Sequence, residues 1–220
     1  MALLTAPHWE AVTGSMRTLL VWFGRQQTSE RFYQAGGTAL ALLLGHRRSI
    51  VLDFFSESDE IHSQSRSELI HLFSARAARV VENADGNLIL LTDGLHAGFF
   101  FSYGHPLLEP PVAVEQIRLA SLLDVGLMKL DTLIGRGSRK DFYDLYAITQ
   151  QIPLKELLQA GARKYPAVRD FGLMAVESLV LFDNADRDSQ PDLLVDLPWE
   201  RVKQFFLEQG RAIGLGWIGG

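Results

Sequence analysis

The sequence predicts an α+β fold. Strand-like runs rich in β-branched and aromatic residues stop at about residue 120, and everything beyond carries helical spacing. Two Asp-Gly pairs also join consecutive apolar runs, as hairpin turns do. Taking the elements in order, Trp9, Val12, Met16, Leu19, Leu20 and Phe23 recur at helical spacing and predict an amphipathic helix from about Pro7 to Phe23, its apolar side in the core. Arg31 to Ala35 predicts a short strand meeting the pair Gly36-Gly37. Thr38 to Leu44 then predicts a helix with Thr38 near its N-terminus and Gly45 as its C-cap. Ser49 to Phe55 reads as a buried strand that ends in the acidic loop Glu57 to Glu60. Ser65-Arg-Ser-Glu68 has a capping-box pattern ahead of Leu69, Ile70, Leu72 and Phe73, which places a second helix there.

Arg79 to Asn83, Leu88 to Thr92 and Leu95 to Tyr103 follow as three strands of a meander, with turns at Asp85-Gly86 and Asp93-Gly94. In Phe99-Phe100-Phe101 the strand alternation separates Phe100 from the other two, so burial on both faces explains the run more simply than a base-stacking platform. Beyond the loop His105 to Pro111, Val114 to Leu119 predicts one further strand. Helices follow at about 121–135, 139–149, 154–163, 171–181 and 198–212, with Pro198 in the first turn of the last. A boundary near residue 120 separates a mixed-sheet domain, 1–120, from a helical domain, 121–220, through a connection too short and apolar to be a flexible linker.

Composition bounds the chemistry. The chain has 220 residues, 47% hydrophobic and 21% charged, as a globular protein does, and it holds no cysteine. Thiol nucleophiles, iron–sulfur sites and disulfide frameworks are therefore excluded. A formal charge of −5, from 21 Lys and Arg against 26 Asp and Glu, argues against a globally basic nucleic-acid coat and leaves room for a local basic cleft. The first residues lack a basic region and are interrupted by Pro7 and His8, so no signal peptide is expected. No apolar run approaches the roughly 20 residues that span a bilayer. The histidines show no metal-ligand spacing.

Two stretches carry candidate chemistry. The glycine turn Gly36-Gly37-Thr38 opens a helix, where exposed N–H groups and the positive end of the helix dipole make an anion site suited to phosphate. Asp53 then sits inside the apolar run Val51-Leu-Asp-Phe-Phe55, and magnesium takes hard oxygen ligands of this kind beside a phosphate. The second stretch places Lys129 and Arg136 seven residues apart on one helix face, followed by Asp141 and Asp144 at the start of the next helix. Those four residues read equally well as a salt-bridged helical hairpin. In His46-Arg47-Arg48, Arg47 is expected to cap the carbonyls of the preceding helix, and Arg48 stays open between a phosphate or RNA contact and a solvated turn.

Together these strings, from Gly36-Gly-Thr-Ala-Leu to Leu52-Asp-Phe-Phe55 and from Met128-Lys to Lys140-Asp-Phe-Tyr-Asp-Leu-Tyr146, resemble the AbiEii family of nucleotidyltransferase-like toxins. The likeness runs from about Arg31 to Phe206. It implies a nucleotidyltransferase-like mixed sheet with flanking helices, followed by a helical C-terminal half, in a bacterial cytoplasmic protein. By the same resemblance Gly36, Gly37 and Thr38 would hold the phosphates of a nucleoside triphosphate, Arg48 and Arg136 would assist, and Lys129 would contact the triphosphate. Asp53 would hold Mg2+, and Asp141 or Asp144 would complete the site. The implied acceptor is RNA, tRNA above all, or protein, and the implied partner is a cognate antitoxin.

This sequence departs from the family's Asp-x-Asp strand motif: Val51 stands where the first Asp falls, and the strand Leu95 to Tyr103 supplies no acid. Three explanations follow. The chain is a degenerate member that binds nucleotide, RNA or antitoxin without turnover; or Glu57, Asp59 or Glu60 is recruited from the adjacent loop; or Asp141 and Asp144 carry the metal.

Overall fold

The chain divides between Ser121 and Leu122 into two units, each with its own core. The computed structural model describes residues 3–218, so the opening Met1-Ala2 of the expected non-signal segment lies outside the described residues. In the first unit a short 3-10 turn, Trp9–Ala11, precedes α1, Gly14–Gly24. The helix expected from Pro7 is therefore interrupted. Val12 is extended, and the Thr13 hydroxyl accepts the Met16 N–H at 3.1 Å, a side-chain cap that starts the helix afresh. The chain continues through β1 (Tyr33–Gln34), α2 (Gly36–Leu44), β2 (Val51–Ser56), α3 (Ser63–Ser74), β3 (Arg79–Ala84), β4 (Asn87–Thr92), β5 (Leu95–Phe101), β6 (Val112–Val114) and β7 (Ile117–Leu119).

The seven strands form one mixed sheet in the order β3-β4-β5-β2-β1-β7-β6, with β2 parallel to β5 and antiparallel to β1. On one face Leu52 and Phe54 of β2 and Phe99 of β5 are buried with Phe23 of α1 and Phe73 of α3; the Phe54 and Phe99 rings stack at 5.1 Å. Alternation sends Val51, Asp53 and Phe55 to the other face. That face is less covered than the sequence suggested: Phe100, in register with Phe55, is half-buried, whereas Phe99 on the opposite face is fully buried.

Two further expectations change. Ser65 does not cap α3, which begins two residues earlier; its hydroxyl donates to the buried Asp59 carboxylate, and Glu68 pairs with Arg31. The strand expected over Val114 to Leu119 is a hairpin, β6 to β7, whose turn residue Glu115 takes φ +52° without a Gly or Asn to announce it.

The second unit is helical: α4 (Leu122–Gly135), α5 (Arg139–Thr149), α6 (Leu154–Lys164), α7 (Phe171–Ser178), α8 (Asp183–Arg187) and α9 (Trp199–Ile218). Phe142 of α5 packs against Phe182, Trp199 and Phe206. Pro198 precedes α9 instead of lying in its first turn, and its carbonyl accepts the Arg201 N–H at 3.1 Å. Among the described residues no helix is long and apolar enough to cross a membrane.

Candidate functional site

The glycines of the first motif are each required by a specific neighbour. Gly36 opens α2 at φ +61°, in the left-handed region, and a Cβ there would lie 3.2 Å from Asp53 Oδ2. A Cβ on Gly37 would lie 2.6 Å from Arg47 Nη2, so the absent side chain is what admits the guanidinium. The ladder of α2 begins with the Ala39 N–H reaching the Ala35 carbonyl, which leaves the N–H groups of Gly36, Gly37 and Thr38 ahead of it. Asp53 reaches this turn because β1 and β2 pair antiparallel; the Ala35 N–H donates to the Asp53 carbonyl at 3.0 Å.

Thr38 and Arg47 have more specific positions than the sequence indicated. The Thr38 side chain is fully buried; its hydroxyl meets the Ser49 hydroxyl at 2.8 Å and the Val51 carbonyl, clasping α2 to the start of β2. Arg47 was expected to cap the C-terminal carbonyls of α2. The Gly45 N–H closes that end on the Ala41 carbonyl, with Gly45 at φ +61°, while Arg47 lies buried at the opposite, N-terminal turn and donates to the Arg48 carbonyl at 2.9 Å. The loop after α2 runs back along the helix, a path that Ser49 opposite Thr38 could have suggested. Arg48 is exposed on that loop.

Across the sheet, Asp53 pairs in register with Gly98 and Val51 with His96. Asp53 is the one acid on either β2 or β5. The place facing it is closed as well, since a Cβ on Gly98 would lie 2.5 Å from two carbons of the Phe100 ring and 3.5 Å from Asp53 Oδ1. The loop acids are engaged elsewhere. Glu57 accepts the Leu107 N–H at 2.8 Å, Glu60 meets His62 at 2.7 Å, and Asp59 holds Arg31 at 2.8 Å and the Ile61 N–H at 2.9 Å. Among the described residues no group of three His, Cys, Asp or Glu side chains comes together to hold a metal. A two-metal centre needs converging carboxylates, and the residues of this sheet do not fit one.

In the helical unit, Lys129 of α4 is buried at 5% exposure and places its ammonium 2.8 Å from Asp141 and 2.6 Å from Asp144, both fully buried on α5. Asp141 also accepts from Arg136 Nε at 3.1 Å and from the Ser138 hydroxyl. This is the salt-bridged hairpin foreseen as one reading of the spacing. Burial opposes both charges, yet the Asp144 and Asp141 carboxylates outweigh it and raise the Lys129 pKa. For Asp141 burial is likewise outweighed, here by Lys129 and by hydrogen bonds from Arg136, Lys129 and Ser138, and its pKa is lowered. Arg136 keeps a side chain 60% exposed. The sequence offered no sign of Ser138 beyond its place just ahead of a helix.

The mixed sheet, with its Gly-Gly turn opening a helix beside a strand carboxylate, has the fold of a nucleotidyltransferase of known structure. MenT4, a nucleotidyltransferase toxin from Mycobacterium tuberculosis H37Rv, shares that fold at a TM-score of 0.55 and 20% identity, over 85% of this chain and 78% of its own. The sequence model described as nucleotidyl transferase AbiEii toxin, type IV toxin–antitoxin system, matches residues 18–214, and the chain belongs to that family. An uncharacterized protein of Aquifex aeolicus (strain VF5) is 38% identical over 180 residues, 80% of this chain and 84% of its own.

Proposed function

We propose that the chain binds a nucleoside triphosphate as its Mg2+ complex and transfers a nucleotide to an RNA, tRNA-like, or protein acceptor in the bacterial cytoplasm, under the control of a cognate antitoxin. The observation that carries this reading is Asp53 beside the left-handed Gly36 at the start of α2. Nucleotidyl transfer asks a protein chiefly for positioning and for neutralising charge. On this reading residues 1–120 form the nucleotidyltransferase-like domain and 121–220 a helical one. Gly36, Gly37 and Thr38 offer backbone N–H groups to phosphate oxygens, Thr38 through its main chain because its hydroxyl is committed to β2. Asp53, whose carboxylate stands beside Gly36, would be the residue to hold a cation bound with the substrate, and such a cation would supply neutralisation of phosphate charge. Within this unit Arg48, exposed on the loop after α2, is the cation assigned to phosphate; in the helical unit, taken by itself, Arg136 offers a side chain 60% exposed as a phosphate contact. Asp141 holds Arg136, and Lys129 in turn bridges Asp141 and Asp144.

A second reading is favoured by the solitary carboxylate: a member that binds nucleotide, RNA or antitoxin without turnover. Calorimetry with each nucleoside triphosphate and Mg2+, beside transfer of an α-labelled nucleotide to bulk tRNA, separates the two. The first reading expects heat with at least one nucleotide, lost in Asp53→Asn, and label in the acceptor. Heat without transfer moves the conclusion to the second reading, and no heat with any nucleotide overturns nucleotide binding altogether.

A further inference from the structure

The N-terminal turn of α2 gathers positive charge. Ala35 stands at its cap with no side chain able to accept an N–H, and the first turn carries no acid. The helix dipole has its positive end there. Arg47 adds a full charge to it. Its side chain is buried at 6% exposure, and a Cβ on Gly37 would lie 2.6 Å from Nη2 and 3.5 Å from Cζ. Nη1 donates to the Arg48 carbonyl at 2.9 Å, which ties the guanidinium to the returning loop.

Two features of this arrangement are not explained by folding alone. Cations favour the opposite end of a helix, and a guanidinium keeps its proton even when buried, so Arg47 stands where its charge works against α2. Gly37, unlike Gly36, has no positive φ, so its backbone would accept an alanine; what requires glycine there is the guanidinium. On the preceding residue, a Cβ on Gly36 would lie 3.2 Å from Asp53 Oδ2. The two glycines therefore mark a carboxylate and a guanidinium set one residue apart along the same turn. A polyphosphate that carries a divalent cation presents the complementary pair of charges.

Resting on the reading that this turn binds phosphate, we propose that Arg47 is a positioning residue of the polyphosphate site. Its buried guanidinium supplies a fixed positive charge behind the main-chain N–H groups of Gly36, Gly37 and Thr38, and the missing side chain of Gly37 is what lets it stand there. It acts through the turn and its field, whereas the exposed Arg48 is free to move with solvent.

Tripolyphosphate, alone and as its Mg2+ complex, is titrated calorimetrically into the full chain as wild type, Arg47→Met, Arg47→Lys, Gly37→Ala and Gly37→Ala/Arg47→Met, with a melting curve for each. The affinity should fall about tenfold or more in Arg47→Met, as removal of a unit charge close to an anion predicts, and Arg47→Lys should recover most of it. Gly37→Ala should lose a similar factor by displacing the guanidinium, and the double variant should lose no more than Arg47→Met, because its methyl then displaces nothing. A lower melting temperature with unchanged affinity in Arg47→Met means a structural clasp only; it overturns the assignment and leaves the phosphate reading standing. Additive losses in the double variant, or Arg47→Lys as weak as Arg47→Met, overturn it as well. A wild type that takes up neither form of tripolyphosphate also overturns it, and titration with nucleoside triphosphates then shows whether the phosphate reading falls too. If Arg47→Met does not fold, the Arg47 Nη–H signals of the wild type decide: a saturable shift with tripolyphosphate supports the proposal and no shift overturns it.

Discussion

Replacing Lys129 with Met removes the cation between two fully buried carboxylates while keeping the volume of its stem. Taking one partner from a buried ion pair costs about 3–5 kcal/mol, because the remaining charge cannot return to water. Asp141 retains Arg136 at 3.1 Å and the Ser138 hydroxyl after the change. At about 2–4 °C per kcal/mol for a protein of this size, the melting temperature of Lys129→Met should drop by roughly 6–20 °C. Circular dichroism against temperature and urea measures it, and the double variant Lys129→Met/Asp144→Asn should recover part of the loss, since one of the two buried carboxylates that faced the lysine is then neutral. A Lys129→Met protein within about 1 kcal/mol of wild type, or a double variant no better than the single, would refute the buried-cluster argument. The pH limbs carry signs of their own. The lowered Asp141 pKa contributes stability that is present above its unfolded value of about 3.9 and is lost as pH falls through the folded one. The raised Lys129 pKa contributes stability that is complete below about 10.4 and is lost only as pH rises through its folded value. Wild-type stability from this cluster should therefore hold level across neutral pH.

Gly36→Ala should cost about 1–2 kcal/mol for a left-handed non-glycine residue and should weaken nucleotide binding by pressing a methyl against Asp53 Oδ2. Gly14→Ala, where nothing lies within 4 Å of the added carbon, should be neutral or slightly stabilising in the same urea titration. Val51→Asp should fold, because Val51 is 37% exposed on the Asp53 face, and should raise affinity for Mn2+ in calorimetry; unchanged affinity would mean that the two carboxylates do not converge.

What the sequence revealed and what it hid follow from how local each signal is. Gly45 and the Asp93-Gly94 turn need positive φ, and glycine marks such positions openly. Val51, Asp53 and Phe55 share a face because a strand's period is two, which needs no knowledge of its neighbours. The β6–β7 turn was illegible because Glu115 adopts the left-handed conformation without a residue type that favours it. Ser65 looked like a cap because the pattern is local, whereas its true partner Asp59 is set by tertiary packing. Arg47 was misplaced for the same reason: its position depends on a loop folding back along α2, and the glycine that admits it lies ten residues earlier.

The glycine at Gly98 bears on the missing acids most directly. Val51 is a surface substitution that one mutation could reverse, since its side chain stands on the open face beside Asp53. Gly98 is different in kind, because the Phe100 ring lies over it, and a Cβ there, 2.5 Å from two of its carbons, would require that ring to shift. The Phe100 ring is in turn packed at 5.2 Å from Phe55, whose other neighbour is Tyr33 at 6.1 Å, so displacing it disturbs an aromatic row across three strands. Carboxylates could be regained along β2 more readily than across from it. At Gly98, the position in register with Asp53, the Phe100 ring takes the space that a side chain would need.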